Sequence, residues 1–252
     1  MSLTAVLAVV AAGLVAGAMN VIVGSGSLVT FPTLLAVGFA PIVANVTNNV
    51  GLVPGSLSGV TAYRRELRGQ RGRALRLGCA SVLGGLSGAA LLLALPGTVF
   101  RRAVPVLIVI ACVLMAVRPQ VGRWLAKRGK RPVHGGLPLL ASVFATGVYG
   151  GYFGAAQGVI LISLLAIFID DDLQRLNGVK NVLTLLTNGT AALLFVVASH
   201  VSWEAAGLIA AGSVAGGQVG GIVGRRLSPD TLRVIVVIGG LVVASLLFVK
   251  YW

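Results

Sequence analysis

Charge is scarce in this chain, and acidic charge scarcer still. Only 10% of its 252 residues are charged, and the acids number six: Glu66, Asp170, Asp171, Asp172, Glu204 and Asp230. All six fall between apolar runs or at their ends, so no carboxylate sits in mid-membrane to relay protons or hold sodium. A cationic substrate is thereby disfavoured. Coupling, if any, then runs through the substrate's own proton or the membrane potential. There are two histidines, His134 and His200, both in predicted loops, and no H-E-x-x-H motif. An intramembrane enzyme would need a nucleophile with its base, a carboxylate pair or metal ligands, and these are missing. The two cysteines, Cys79 and Cys112, lie inside apolar blocks and read as buried small residues, with no metal site and no cofactor implied. Aromatics are 6% of the chain and do not interleave with its basic clusters, which excludes a nucleic-acid partner.

What the chain has is apolar length. It is 57% hydrophobic with a mean hydropathy of +0.98. Apolar blocks cover roughly 3–23, 28–39, 42–62, 77–96, 103–117, 137–151, 154–169, 177–199, 205–224 and 232–249. The pattern predicts an all-α polytopic membrane protein with about 8–10 hydrophobic segments, some too short for the roughly 20 residues of a full span. The first block lacks a basic flank, since the first positive charge is Arg64, so it reads as a retained helix rather than a signal peptide. The net charge of +14 is concentrated: six arginines in 64–76 and six Lys or Arg in 118–131. By the positive-inside rule both loops are cytoplasmic. Paired short segments then put Asp170–Asp172 and Arg175 inside, the His200–Glu204 stretch outside, and Arg225 and Arg226 inside.

The chain also echoes itself. Gly17 and Gly24 lie 130 residues before Gly147 and Gly154, Thr47 and Asn48 lie 133 before Lys180 and Asn181, and Gly84, Gly85 and Gly88 lie 132 before Gly216, Gly217 and Gly220. The expected organisation is a first membrane repeat (1–117), a basic cytoplasmic linker (118–136) and a second membrane repeat (137–252). Five segments per half, an odd number, make the repeats inverted, with a site expected between them. Glycines at 212, 216, 220 and 224 line one helix face, as do Ala80, Gly84 and Gly88, which suits close helix packing. Such faces serve either within one chain or in a homodimer.

Two places interrupt the apolar pattern with polar groups. Gly24-Ser25-Gly26-Ser27 breaks the first block, and Gly154-Ala155-Ala156-Gln157-Gly158 stands at the equivalent place. A turn inside the membrane is tolerated where protein or a wet cavity surrounds it, and a helix beginning after it offers N–H groups and a positive dipole end to an anion. Ser25, Gly26, Ser27 and Gln157 are therefore candidate substrate-binding residues, the other reading being a tight small-residue hairpin. Thr47, Asn48 and Asn49, with Lys180 and Asn181 opposite, complete the candidate set. Asn and Thr in apolar surroundings need partners and often bond between helices. Lys180 either ligates the anion or extends to the cytoplasmic surface.

The run Pro32-x5-Gly38-x2-Pro41-x2-Ala44-x2-Thr47-Asn48, then Gly55-Ser56-x2-Gly59-x3-Tyr63-Arg64, resembles the sulfite exporter TauE/SafE family. So does the second half, with Gly150-Gly151-Tyr152-Phe153-Gly154, Lys180-Asn181, Trp203 opening a helix, and the stretch from Gly216 to Arg226. The resemblance covers almost the whole chain and rests on order and spacing. It implies a multi-pass permease for sulfur-containing anions such as sulfite or sulfonates. In both turns this chain departs from the family's glycine-rich pattern, at Ser25 and Ser27 and at Gln157. The leading expectation is a secondary transporter or facilitator for small anions in the lipid bilayer. A passive anion channel is the alternative, with an intramembrane enzyme or a membrane scaffold subunit behind it.

Overall fold

The structure, a computed structural model, describes residues 1–126, 136–223 and 229–251. His134, Gly224, Arg225, Arg226 and residues 127–135 of the expected linker lie outside the described residues. Those described form ten helices: α1 (Leu3–Ile22), α2 (Ser27–Ala36), α3 (Pro41–Ala62), α4 (Arg71–Ala94), α5 (Gly97–Ala126), α6 (Gly136–Tyr152), α7 (Gln157–Phe168), α8 (Leu173–Ala198), α9 (Trp203–Val223) and α10 (Pro229–Tyr251). Local chemistry sets several starts. Ser2 Oγ accepts the Ala5 N–H, Pro41 opens α3, and the Asp172 carboxylate accepts the Gln174 and Arg175 N–H groups. Three boundaries differ most from the hydropathy reading. α4 begins at Arg71 rather than near 77, and α5 runs from Gly97 to Ala126 rather than over 103–117. Arginine is a good helix former with a long apolar stem, so a basic interfacial stretch prolongs a helix that a hydropathy edge cuts short.

Among the described residues five helices are long and apolar enough to cross a bilayer, and α2 and α7 are short. α2 folds back along α1, since Val37–Phe39 after its end share a cleft with Met1, Ser2 and Ala5. α7 folds back along α6, where Leu165 and Ile169 join Leu139 and Val143 in one buried cluster. Large apolar side chains such as Leu3, Val197 and Val249 are 75%, 86% and 89% exposed, which is the lipid-facing surface of a membrane protein. Cys79 belongs to that surface, contrary to the buried position expected, whereas Cys112 is buried. An apolar run reads the same whether a given side chain faces lipid or protein.

Neighbouring helices follow a two-fold rule. Exchanging α1–α5 for α6–α10 turns the α1–α9 pair into α6–α4, α3–α9 into α8–α4 and α2–α10 into α7–α5, and returns α3–α8 and α5–α10 to themselves. The glycine faces are the seams of the closest pairs. On α1 and α9 the contacts advance together, Gly13 meeting Ile209 and Gly17 meeting Ser213, so these helices run in the same direction. α4 and α6 do likewise, Gly84 against Phe144 and Gly88 against Val148. α3 runs with α9, as Gly55 meets Ser213 and Gly221 meets Ala62. α3 and α8 oppose each other. The Tyr63 hydroxyl after the end of α3 donates to Gln174 at the start of α8 (3.2 Å), while Thr47 near the start of α3 bonds Ser202 beyond the end of α8.

Candidate functional site

The two breaks have the same backbone. Val23 and Gly24 both donate to Met19 O (2.8 and 2.9 Å), and Phe153 and Gly154 both donate to Tyr149 O (2.9 and 3.2 Å). Gly24 (φ +86°) and Gly154 (φ +78°) then turn the chain through the left-handed region that glycine adopts without strain. The turns touch: the Gly158 N–H donates to Gly24 O at 3.0 Å. A Cβ on Gly24 would stand 2.3 Å from the Gly158 Cα, so the backbones meet with no room for a side chain. An aromatic cluster locks the junction, Phe31 of α2 edge-on to Phe153 of the second turn (5.3 Å) and Phe100 of α5 against both Tyr152 and Phe153.

Breaking a helix frees the carbonyls of its last turn, and each half caps those of the other. Asn45 Nδ2 on α3 donates to Tyr152 O at the end of α6 (3.0 Å), and Asn177 Nδ2 on α8 donates to Val21 O at the end of α1 (3.1 Å). At the first break Lys180 adds a charge. It is fully buried, and its Nζ donates to Asn20 O (2.9 Å) and Val21 O (3.2 Å), where the helix dipole favours a cation. Lys180 therefore does not extend to the surface. At the second break the extra donor is the neutral Tyr149 hydroxyl, on Ala155 O (2.7 Å).

The expected binding residues divide. Ser25, Asn48, Asn49, Gln157, Lys180 and Asn181 are all buried, and Ser27 is half-buried. Thr30 at the first turn of α2 hydrogen-bonds Asn48 Oδ1, which brings Asn48 to the broken helix. Gly26 donates its N–H to Asn20 Oδ1 (2.7 Å). Asn181 lines a small cavity with Asn20, Val21, Ser56 and Thr184, about 10 Å³, roughly the room of one water. Thr47 is directed elsewhere, its Oγ1 accepting the Ser202 N–H at 3.1 Å, so its pairing with Lys180 in sequence is not a pairing of partners. Gln157 lies against Gly150, across the second break. The Ser25 hydroxyl, the Asn181 Nδ2, the Thr184 hydroxyl and both ends of the Gln157 amide are buried with no hydrogen-bond partner.

One expectation changes. The helix starts were to offer free N–H groups, yet Gln157, Gly158, Val159 and Ile160 all donate to carbonyls of the two turns, as do Leu28 and Val29 in the first half. Tight turns engage many of the groups that a looser entry would leave open. Unpartnered side-chain donors stand beside them. Asn20, Thr30 and Ser56 were missed in the sequence. Asn20 was visible as the lone amide in an apolar helix, four residues before the turn glycine.

A second polar assembly joins the connector 63–70 to the start of α8. Asp171 accepts from Arg73 Nη1 (2.7 Å) and Arg175 Nε (2.9 Å), and Gln70 Nε2 donates to Arg175 O (3.0 Å). Partial burial pushes the Asp171 carboxyl up, but the Arg73 hydrogen bond, the Asp172 N–H and the two guanidinium charges outweigh it and hold the carboxyl below its ordinary range. Among the described residues no cluster of His, Cys, Asp or Glu could hold a metal ion.

A helical multi-pass membrane protein with two broken-helix hairpins joined tip to tip is the class that this architecture defines. The comparisons take it a step further: the chain belongs to the sulfite exporter TauE/SafE family, whose model matches residues 9–247. It is 27% identical over 238 residues to the probable membrane transporter protein YfcA of Escherichia coli K12, covering 93% of this chain and 87% of that one. It is 25% identical over 247 residues to a probable membrane transporter protein of Haemophilus influenzae, covering 95% and 93%. A similar likeness, 25% over 209 residues, links it to the probable membrane transporter protein ORF9 of a Sinorhizobium species, covering 83% and 79%. No solved structure matches the chain.

Proposed function

We propose that the protein is a secondary transporter or facilitator that moves small sulfur-containing anions, such as sulfite or sulfonates, across the membrane. The family supports transport and the class of anion. The observation that carries the site is the set of buried, unpartnered polar groups around the joined turns: Ser25, Gln157, Asn181 and Thr184. Each such group costs about 1–3 kcal/mol when left unpaired. An oxyanion, rich in acceptors, would satisfy the hydroxyl and amide donors, with Asn48 held alongside and Lys180 supplying the positive field. Ser27, Gly26 and Asn49 frame the same band and shape it rather than ligate, and Thr47 ties the start of α3 to the α8–α9 connector.

The halves, 1–117 and 137–252, are read as inverted repeats. Support comes from the two-fold exchange of helix neighbours together with direction: α1, α3 and α9 run one way while α4, α6 and α8 run the other. The cavity at Asn181 holds no more than about a water, so this is a closed form that must open for an anion to enter. With no carboxylate in mid-membrane, the substrate's own charge or proton remains the means of coupling.

The test is a thermal-shift titration of the purified protein with sulfite, thiosulfate, sulfate, sulfoacetate, taurine and simple carboxylates, beside Asn181→Ala and Lys180→Met. Stabilisation grows with ligand concentration over the dissociation constant, so millimolar ligands register. Shifts confined to sulfur anions and lost in both variants are expected. Equal shifts in wild type and variants would remove the site. No shift with any sulfur anion would remove the substrate class. Counterflow in liposomes separates a carrier from a channel.

A further inference from the structure

A groove of about 770 Å³ lies apart from the joined turns, between α4 and α8, and its walls are almost wholly apolar. Leu75, Cys79 and Leu83 of α4 are exposed along it, Leu186 of α8 forms the opposite wall, and Arg71 stands at the end where α4 begins. Gly78 keeps it open, since a Cβ there would press on Leu186 Cδ1 at 2.8 Å. Residues 71, 75, 79 and 83 share one helix face. From Arg71 to Leu83 the helix rises about 18 Å, and one leaflet of the hydrocarbon core is about 15 Å deep. The groove therefore runs from the interface to about the midplane, apolar along its length and cationic at its mouth. That mouth belongs to the six-arginine stretch 64–76. The related helix α9 opens instead with Trp203 and Glu204 and carries no Lys or Arg through Val223, so its start has no cationic end like that of α4.

We infer that this groove is a binding site for an anionic phospholipid, one acyl chain lying between α4 and α8 and the phosphate held at Arg71. Length and charge both fit that occupant: an anionic lipid brings a net negative charge to Arg71, whereas a zwitterionic lipid offsets its phosphate with its own cation. A single arginine near an anionic headgroup gives about a fivefold preference.

The experiment uses the full chain, delipidated in detergent and titrated with dioleoyl phosphatidylglycerol or dioleoyl phosphatidylcholine, with bound lipid counted by native mass spectrometry. The wild type retains one phosphatidylglycerol about fivefold better than phosphatidylcholine. Arg71→Gln equalises the two lipids, and Cys79→Trp fills the groove and loses both. Equal retention of the two lipids by the wild type, or an undiminished preference in Arg71→Gln, overturns the assignment. Both side chains are exposed, and the lipid-free melting temperature of each variant checks that the fold is intact.

Discussion

The two breaks meet the same backbone problem with different chemistry. Each ends a helix on a left-handed glycine and leaves carbonyls to be capped, and each receives an asparagine from the opposite half. The second break needs nothing further than a neutral tyrosine hydroxyl. The first is given a fully buried lysine. Because the second break is stable without a charge, capping alone does not account for Lys180. A buried cation is expensive unless something uses it, and an anionic substrate is the use we propose.

The comparison can be broken most severely where the breaks touch. Gly24→Ala and Gly158→Ala would each place a methyl 2.3–2.4 Å from backbone of the opposite turn. Each should cost about 3 kcal/mol or more, read as loss of folded protein in detergent, and the two should be equally harmful. Gly38→Ala is the control for Gly24, with the same left-handed requirement but open space, and should cost about 1 kcal/mol.

Next comes the charge itself. Lys180→Met should lower stability by about 2 kcal/mol, because Asn20 O loses its donor and Val21 O keeps only that of Asn177. It should also abolish the anion-dependent thermal shift. Asn45→Ala, at the neutral break, should cost about 1 kcal/mol and leave that shift in place. If both variants keep the shift, Lys180 is a cap and no more.

A smaller effect is expected at Asp171, which ties α4 to α8 on the arginine-rich side. Asp171→Asn should cost about 1–2 kcal/mol, given two charged partners and partial burial. Its carboxyl is lowered in the folded chain, so its contribution is complete above the ordinary carboxylate range and is lost as pH falls through the lowered value. The difference in melting temperature between wild type and Asp171→Asn should therefore shrink on acidification. The smallest change is Ala156→Gly. Ala156 is left-handed at φ +58° where its counterpart Gly26 sits at −58°, so glycine relieves strain while adding unfolded-state entropy. The net shift should stay within about 1 kcal/mol by denaturant or thermal unfolding.

Much of this was legible as spacing. The 130-residue offset marked Gly24 and Gly154 as equivalent, and both proved to be left-handed turns. The four-residue glycine series marked helix faces, and Gly212, Gly216 and Gly220 do lie against α1. What spacing could not show was destination. Thr47 and Lys180 stand at matching places, yet one bonds the α8–α9 connector and the other the end of α1. Cys79 and Cys112 both sit in apolar runs, and only one is inside. Helical periodicity tells which residues share a face, and the direction of that face is decided by helices distant in the chain.

The glycine seam between α1 and α9 has a consequence for synthesis. Gly13 finds Ile209 roughly 200 residues later, with no side chain between the backbones. At about 5–20 residues per second, the ribosome leaves α1 without that neighbour for about 10–40 s. During this interval its small-residue face has only lipid, the insertion machinery or a wrong helix to lie against. The order of emergence thus leaves the first helix unsettled until nearly the whole chain is made, and co-expressed fragments 1–126 and 127–252 should assemble where either alone is degraded.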